Sequence, residues 1–210
     1  MEMFQRPFQG FLNQYLAGQI SEAELRQKTE YDQRWGYDWE LYAPILRFAR
    51  QHQIPVKALN TPSEVTRKVA RNGIDRLTFA DRQWIPPRSS ILAAPPAYRQ
   101  RIQQIYDEMH QGKGNSANFD KFFLAQVLWD ETMAEVIAQT LQRSPQSLMV
   151  VLAGQGHILY GHGIPERVAR RLNPKRRQPL QQVSILLNPP ESLQREPGIA
   201  DYIWVSPPLP

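Results

Sequence analysis

The chain has 210 residues, with 25 basic and 20 acidic side chains, so its formal net charge is +5. That length fits one domain able to bury about 70% of the unfolded chain's surface. Hydrophobic residues make up 41% and charged residues 21%, which excludes wholesale disorder. The absence of cysteine excludes disulfide scaffolds, thiolate metal or haem ligation and cysteine nucleophiles.

In chain order, PFQGFLNQYLAG (7–18) predicts a helix with Phe8, Phe11, Leu12 and Tyr15 on one face and Gly18 as its stop. Ser21 with Glu24 forms a capping box that opens a second short helix. YDQRWGYDWELY reads as an aromatic turn. A helix follows over 40–52, its apolar face expected to carry Leu41, Ile45, Phe48 and Ala49. IPVKAL (54–59) reads as a short strand. Thr61-Pro62-Ser63-Glu64 predicts a helix start with Thr61 as N-cap and Pro62 at the first helical position. Asn72-Gly73 ends that helix.

A proline-rich loop (85–96), a helix (97–110) and a glycine-rich loop (HQGKGNSAN) come next, then the longest helix, roughly 118–143. LMVVLAG (148–154) is a continuous apolar run, expected to be a buried parallel strand. A helix over 164–172 and strands over 183–188 and 202–206 complete the chain. Strands separated by helices predict an α/β fold, a mostly parallel sheet flanked by helices. The block 60–145 is almost wholly helical and reads as a large insertion between strands, within a single domain over 1–210.

The most informative stretch is LMVVLAGQGHILYGHGIPERVARR. A buried strand enters a glycine-rich turn and a helix leaves it, the arrangement that places ligands at the carboxyl ends of strands. Gly154 and Gly156 are expected to supply torsions and close approaches denied to other residues. It is not a dinucleotide fingerprint: Leu159 stands where the third glycine belongs, and the later acidic residue is missing. GKGNS (112–116) is not a phosphate-binding loop, because Gly114 follows the lysine.

His157, at the strand's exit, is a candidate metal or haem-iron ligand or general base; the bland alternative is a core histidine bonded to backbone. Tyr160 is a candidate phenolate iron ligand, or else a half-buried aromatic with a solvated hydroxyl. His162, among glycines, is expected to be exposed. His52 and His110 sit at helix ends and read as structural. In the long helix Asp130 lies within the apolar stripe of Phe123, Val127, Ala134, Ile137 and Leu141. A carboxylate there is either paired, most simply with an arginine, or functional. Glu131 and Glu135 face elsewhere.

Two basic faces stand out: Arg67, Lys68 and Arg71 on the helix after Thr61, and Arg167, Arg170, Arg171, Lys175, Arg176 and Arg177. They suit phosphates or haem propionates, or are solvated faces. No aromatics interleave the basic loop, so nucleic-acid binding is not expected. No apolar run is long enough to cross a membrane. MEMFQRPFQGF lacks the three regions of a signal peptide.

EMFQRPFQ, WELYAPILRFAR, PVKALNTPSEVTRKVARNGIDRL, FFLAQVLWDETMAE and VVLAGQGHILYGHGIPERVARR together resemble the ChaN family, which stands with the Tiki/TraB and erythromycin-esterase-like proteins. The resemblance covers nearly the whole chain, 1–205. It implies a haem-binding protein of iron uptake, with haem held at a homodimer interface. Related branches bind a divalent metal for hydrolysis through two G-x-x-H motifs and a glutamate. The second motif matches Gly154 to His157, and the glutamate matches Glu2 of the E-M-F motif. The first, within an L-G-E-x-H segment, is absent. In the family E-M-F closes a strand, whereas here it opens the sequence, so a strand–helix–strand start of roughly 50–60 residues is expected to be missing.

Two functions of different class follow, with a third, inactive outcome. One is haem binding, with His157 or Tyr160 on iron, Arg167, Arg171 or Arg67 on propionates, and Trp35 and Tyr37 walling the slot. Another is a metal-dependent hydrolase using Glu2 and His157. The third is an inactive truncated member. Family members are often membrane-anchored lipoproteins; a genuine start at Met1 would make this one cytoplasmic.

Overall fold

The computed structural model describes residues 1–110, 116–173 and 180–207, with no side-chain account of 116 and 117. The loop at 111–115 and the basic residues Lys175, Arg176 and Arg177 lie outside the described residues. Ten α-helices are described: α1 (Gln9–Leu16), α2 (Glu22–Lys28), α3 (Tyr31–Arg34), α4 (Ala43–Gln51), α5 (Ser63–Asn72), α6 (Phe79–Arg82), α7 (Pro96–Met109), α8 (Ser116–Arg143), α9 (Ile164–Leu172) and α10 (Glu191–Gln194). β1 (Ile185–Leu187) and β2 (Tyr202–Trp204) pair in parallel, Leu186 opposite Ile203. The fold is mixed α/β and mostly helical.

α8 is the spine. At 1.5 Å rise its 28 residues extend about 42 Å. Its first half, through Phe119, Ala125 and Leu128, packs with Val65 and Val69 of α5 and Tyr98, Ile102 and Tyr106 of α7. Its second half, through Met133, Ala134, Ile137 and Leu141, packs with Ile164, Val168 and Leu172 of α9. Each Leu- or Ile-sized side chain so buried stabilises the fold by about 1.5–3 kcal/mol. A separate N-terminal cluster gathers Phe4, Leu12, Tyr15, Leu25, Tyr31, Trp39 and Leu46. The Ser21–Glu24 capping box forms as expected.

Four expectations change. α5 begins at Ser63 with Pro62 as its cap residue and no side-chain cap; Thr61 is buried and its hydroxyl has no partner. In α4 the inward face is Ala43, Leu46 and Ala49, whereas Ile45 and Phe48, and Leu41 just before the helix, stand exposed. The small residues allow the helix to approach Trp39 and Tyr15, and the bulky ones are turned out.

Residues 54–59 run alongside residues 1–5 without forming a strand. Met1 N donates to Lys57 O (2.7 Å), Leu59 N to Met1 O (3.3 Å) and Asn60 N to Phe4 O (3.0 Å), and only Gln5 and Asn60 make a bridge.

The run 148–154 is not a buried strand. Met149, Val151 and Ala153 pack on the α8–α9 core, but Leu148 is 92% and Val150 73% exposed. Its tie to the neighbouring extended segment is Glu2 N to Leu152 O, 2.9 Å. An apolar run buried on both faces needs a layer on each; here the second side is covered only at Leu152, which meets the N-terminal cluster. The β1–β2 sheet repeats this, with Leu186 buried and Ile185, Leu187, Tyr202 and Trp204 exposed.

Candidate functional site

His157 sits in a short 3₁₀ turn after Gly154, between three elements. Its Nδ1 donates to Asp130 Oδ1 of α8 at 2.7 Å, and its Nε2 lies 3.3 Å from Glu2 Oε1. The second Asp130 oxygen accepts from the Tyr98 hydroxyl of α7 at 2.6 Å. The second Glu2 oxygen accepts from the Gly154 amide at 2.5 Å. Trp129 and the imidazole meet at right angles, centroids 6.3 Å apart. Glu2–His157–Asp130–Tyr98 is thus one continuous hydrogen-bonded chain, with Asp130 wholly buried.

The electrostatics follow from that chain. Burial by itself would depress the His157 pKa, but the Asp130 and Glu2 carboxylates outweigh it and hold it at about 10. Burial would raise Glu2; the His157 bond and charge and the Gly154 amide instead hold it below the usual carboxylate range. Burial, and then the Asp130 charge, push the Tyr98 phenol far up. At neutral pH the network therefore holds a charged imidazole, the ionised Glu2 and a protonated phenol.

A second buried knot adjoins it. Glu131, also wholly buried, takes Arg170 Nη2 at 2.6 and 2.8 Å, Arg171 Nη2 at 2.5 Å and the Leu92 amide at 3.2 Å. Arg167 is 1% exposed. Its Nη1 donates to the carbonyls of His162 (2.6 Å) and Gly163 (2.9 Å) and lies 3.8 Å from Asp130 Oδ2. Its Nε is 3.4 Å from Glu131 Oε1. Asp130, expected to pair with an arginine, does form an ion pair with Arg167 at 3.8 Å; its hydrogen bonds go to histidine and tyrosine, and three arginines converge one residue further on.

The turn that follows carries Tyr160 at φ +56°. That left-handed conformation is uncommon for a bulky residue and places its half-buried ring against the Leu159–Leu186–Ile199 cluster. The Tyr160 hydroxyl donates to Glu196. His162 stacks on its ring, centroids 5.7 Å apart, and is half-buried, where exposure was expected. Burial, and then Arg101, lower the His162 pKa.

The backbone freedom expected of Gly154 and Gly156 is required elsewhere. Gly154 has ordinary torsions (φ −58°, ψ 143°), and a Cβ on Gly156 would meet nothing within 4 Å. Gly161 takes φ +70°, and a Cβ on Gly163 would lie 2.1 Å from the His157 carbonyl oxygen.

The remaining candidates are dispersed. Arg67 turns back onto Ser63 of its own helix, 2.8 Å to Oγ. Trp35 and Tyr37 lie tilted against each other, 5.6 Å between centroids, and Trp35 meets Tyr42 at the N-terminal cluster. A cleft of 410 Å³ lined by Glu22, Arg26, Glu30, Asp32, Trp39 and Glu40 includes none of the candidate residues. Tyr98 and Glu131 were not singled out as site residues in the sequence. The signal for Tyr98 was its place in the buried stripe Tyr98–Ile102–Tyr106, since a buried phenol needs a partner.

Glu2 and His157 stand as two neighbouring metal-ligand types, with Asp130 orienting the imidazole from behind. No group of three or more His, Cys, Asp or Glu side chains that could hold a metal ion occurs among the described residues, and a catalytic zinc takes three protein ligands. For haem iron, His157 offers no free nitrogen in this arrangement. Tyr160 has an accessible oxygen with a carboxylate beside it to accept its proton, and so fits an anionic oxygen ligand to ferric iron. No helix among the described residues is long and apolar enough to cross a membrane.

Residues 1–168 match the family described as haem-binding uptake, Tiki superfamily, ChaN. The chain is also 27% identical over 216 positions to the protein RETICULATA-RELATED 5, chloroplastic, of Arabidopsis thaliana; 98% of the chain aligns, spanning 28% of that protein's length. No solved structure matches.

Proposed function

Because the chain belongs to the haem-binding uptake family ChaN of the Tiki superfamily, we propose that it binds haem through Tyr160, in iron or haem uptake. The observation that carries this is the contrast between the two candidate iron ligands. His157 has both ring nitrogens committed to carboxylates, whereas Tyr160 is half-exposed, with its hydroxyl on Glu196 and a neutral-leaning His162 stacked on its ring. Bound haem would supply a ferric centre that favours an anionic oxygen donor. The protein would supply the phenol, the carboxylate that accepts its proton and the apolar bed beneath the ring. The Glu2–His157–Asp130–Tyr98 chain then locks the turn that carries Tyr160 onto α7 and α8.

The test is a haemin titration of the 210-residue chain followed through the Soret band. Saturable binding is expected, abolished or spectrally changed in Tyr160→Phe and retained in His157→Gln. A flat difference spectrum with folded protein would overturn the proposal. The 60–145 block is read in the same spirit as an insertion within one domain. A homodimer is the expected assembly, supported by the exposed apolar face of Ile185, Leu187, Tyr202 and Trp204; sedimentation analysis tests it.

A second reading rests on one observation. The Asp130-anchored His157, with Nε2 facing Glu2, is the half of a divalent-cation site that this chain contains. It becomes a hydrolase site only with a further ligand. Calorimetric zinc titration separates the cases: binding lost in Glu2→Gln favours a cation site, and no heat of binding leaves the pair structural.

A further inference from the structure

The cations once matched to haem propionates are largely engaged within the fold. Arg170 and Arg171 close on Glu131, Arg167 on two carbonyls, and Arg67 on Ser63. Arg101 of α7 is different. It makes no ion pair within 4.0 Å among the described residues; its partners are the carbonyls of Leu159 (3.2 Å) and Gly156 (3.5 Å). Its guanidinium lies 5.3 Å from the Tyr160 ring centroid and 5.2 Å from that of Tyr98. A half-buried cation held by carbonyls and ring faces, which the Asp130 charge reaches only from beyond ion-pair distance, keeps donors for a further anion.

Two further atoms around the same ring lack partners. Among the described residues Arg167 Nη2 and His162 Nδ1 are buried without a hydrogen bond. The Arg167 guanidinium is 5.5 Å from the Tyr98 centroid and the His162 ring 6.4 Å. Buried polar atoms are nearly always satisfied, so two orphans beside a cation without an ion pair point to a ligand rich in acceptors. A carboxylate offers two oxygens with several acceptor directions, matching a guanidinium fork.

We propose that Arg101 is a carboxylate-binding residue and that its ligand is a propionate of the porphyrin held at Tyr160. This rests on the haem reading above. The carbonyls of Leu159 and Gly156 pre-position the guanidinium beside the turn that carries Tyr160. Binding is thereby specific for tetrapyrroles with free acid groups.

The test compares haemin with haemin dimethyl ester on the wild-type chain, Arg101→Met and Arg101→Lys, each checked for folding by circular dichroism. Arg101→Met is expected to weaken haemin about tenfold while binding the dimethyl ester as wild type does, with Arg101→Lys recovering part of the loss. Equal weakening of both ligands, or of neither, would overturn the role of Arg101 and leave haem binding intact. No Soret change with wild-type protein and either ligand would overturn the haem reading and this inference together. Displacement of haemin by free acetate or phosphate in the wild type, but not in Arg101→Met, would mark a general anion site and overturn the assignment to a propionate.

Discussion

Asp130 is the residue whose removal most sharply tests the buried network. Replacing it with alanine deletes the acceptor for Tyr98 (2.6 Å) and His157 (2.7 Å) and a buried carboxylate 3.8 Å from Arg167 Nη1. Two hydrogen bonds to an ionised acceptor contribute about 1.5–3 kcal/mol each, a bracket of about 3–6 kcal/mol. Relief of the carboxylate's own burial cost brings the expected loss to the lower end, about 3 kcal/mol. In a chain of this size that lowers Tm by roughly 6–12 °C.

Asp130→Asn keeps one oxygen but turns an amide N–H toward a donor, so about half the loss is expected. Adding Tyr98→Phe removes one of those orphaned donors, so the double variant should fall short of additive by about 1 kcal/mol. Urea denaturation, with constant slope as the two-state check, measures all of these. A loss under about 1 kcal/mol in Asp130→Ala would refute a tightly coupled network.

Gly163→Ala drives a Cβ to 2.1 Å from the His157 carbonyl and should cost about 3 kcal/mol. Gly156→Ala, which meets nothing within 4 Å, should stay within about 0.5 kcal/mol; chemical denaturation of the pair reads the difference, and equal stabilities would contradict the geometry. For Asp81, burial would raise the pKa, but Lys68 at 2.7 Å and the Thr78 cap hold it below the ordinary value of 3.8. A depressed carboxylate adds stability above its unfolded pKa and loses it as pH falls through the folded one. The stability gap between wild type and Asp81→Asn should therefore narrow below about pH 4; a gap unchanged down to pH 2 would refute it.

Local signals carried well from sequence to structure wherever a helix supplied its own terms. The Ser21–Glu24 box, the stripe along α8 and the Ile164–Leu172 helix follow from neighbours three and four residues apart, and such contacts form whatever surrounds them. Glu2, Gly154 and His157 were legible as a motif, and they do meet. The pairing around them was not. Asp130 was seen as a carboxylate in an apolar stripe, but its partner lies 27 residues away in the sequence and Tyr98 lies 32 away. No periodicity encodes which buried acid meets which donor.

The apolar run 148–154 shows the same division from the other side. Its composition establishes that both faces can be buried; whether both are depends on which layers stand beside it, and Leu148 and Val150 on one side stand exposed. Composition and spacing alone determined the seven longest helices, the family and the residue types at the site, but not the four-residue helices α3, α6 and α10, the first of which reads as a turn. Tertiary packing alone decided that His157 is bound on both nitrogens, that Glu131 gathers the arginines, and that Arg101 stands without an ion pair among the described residues. Long-range pairing of buried charges is settled by the geometry of elements brought together from across the chain, and no single element contains that geometry.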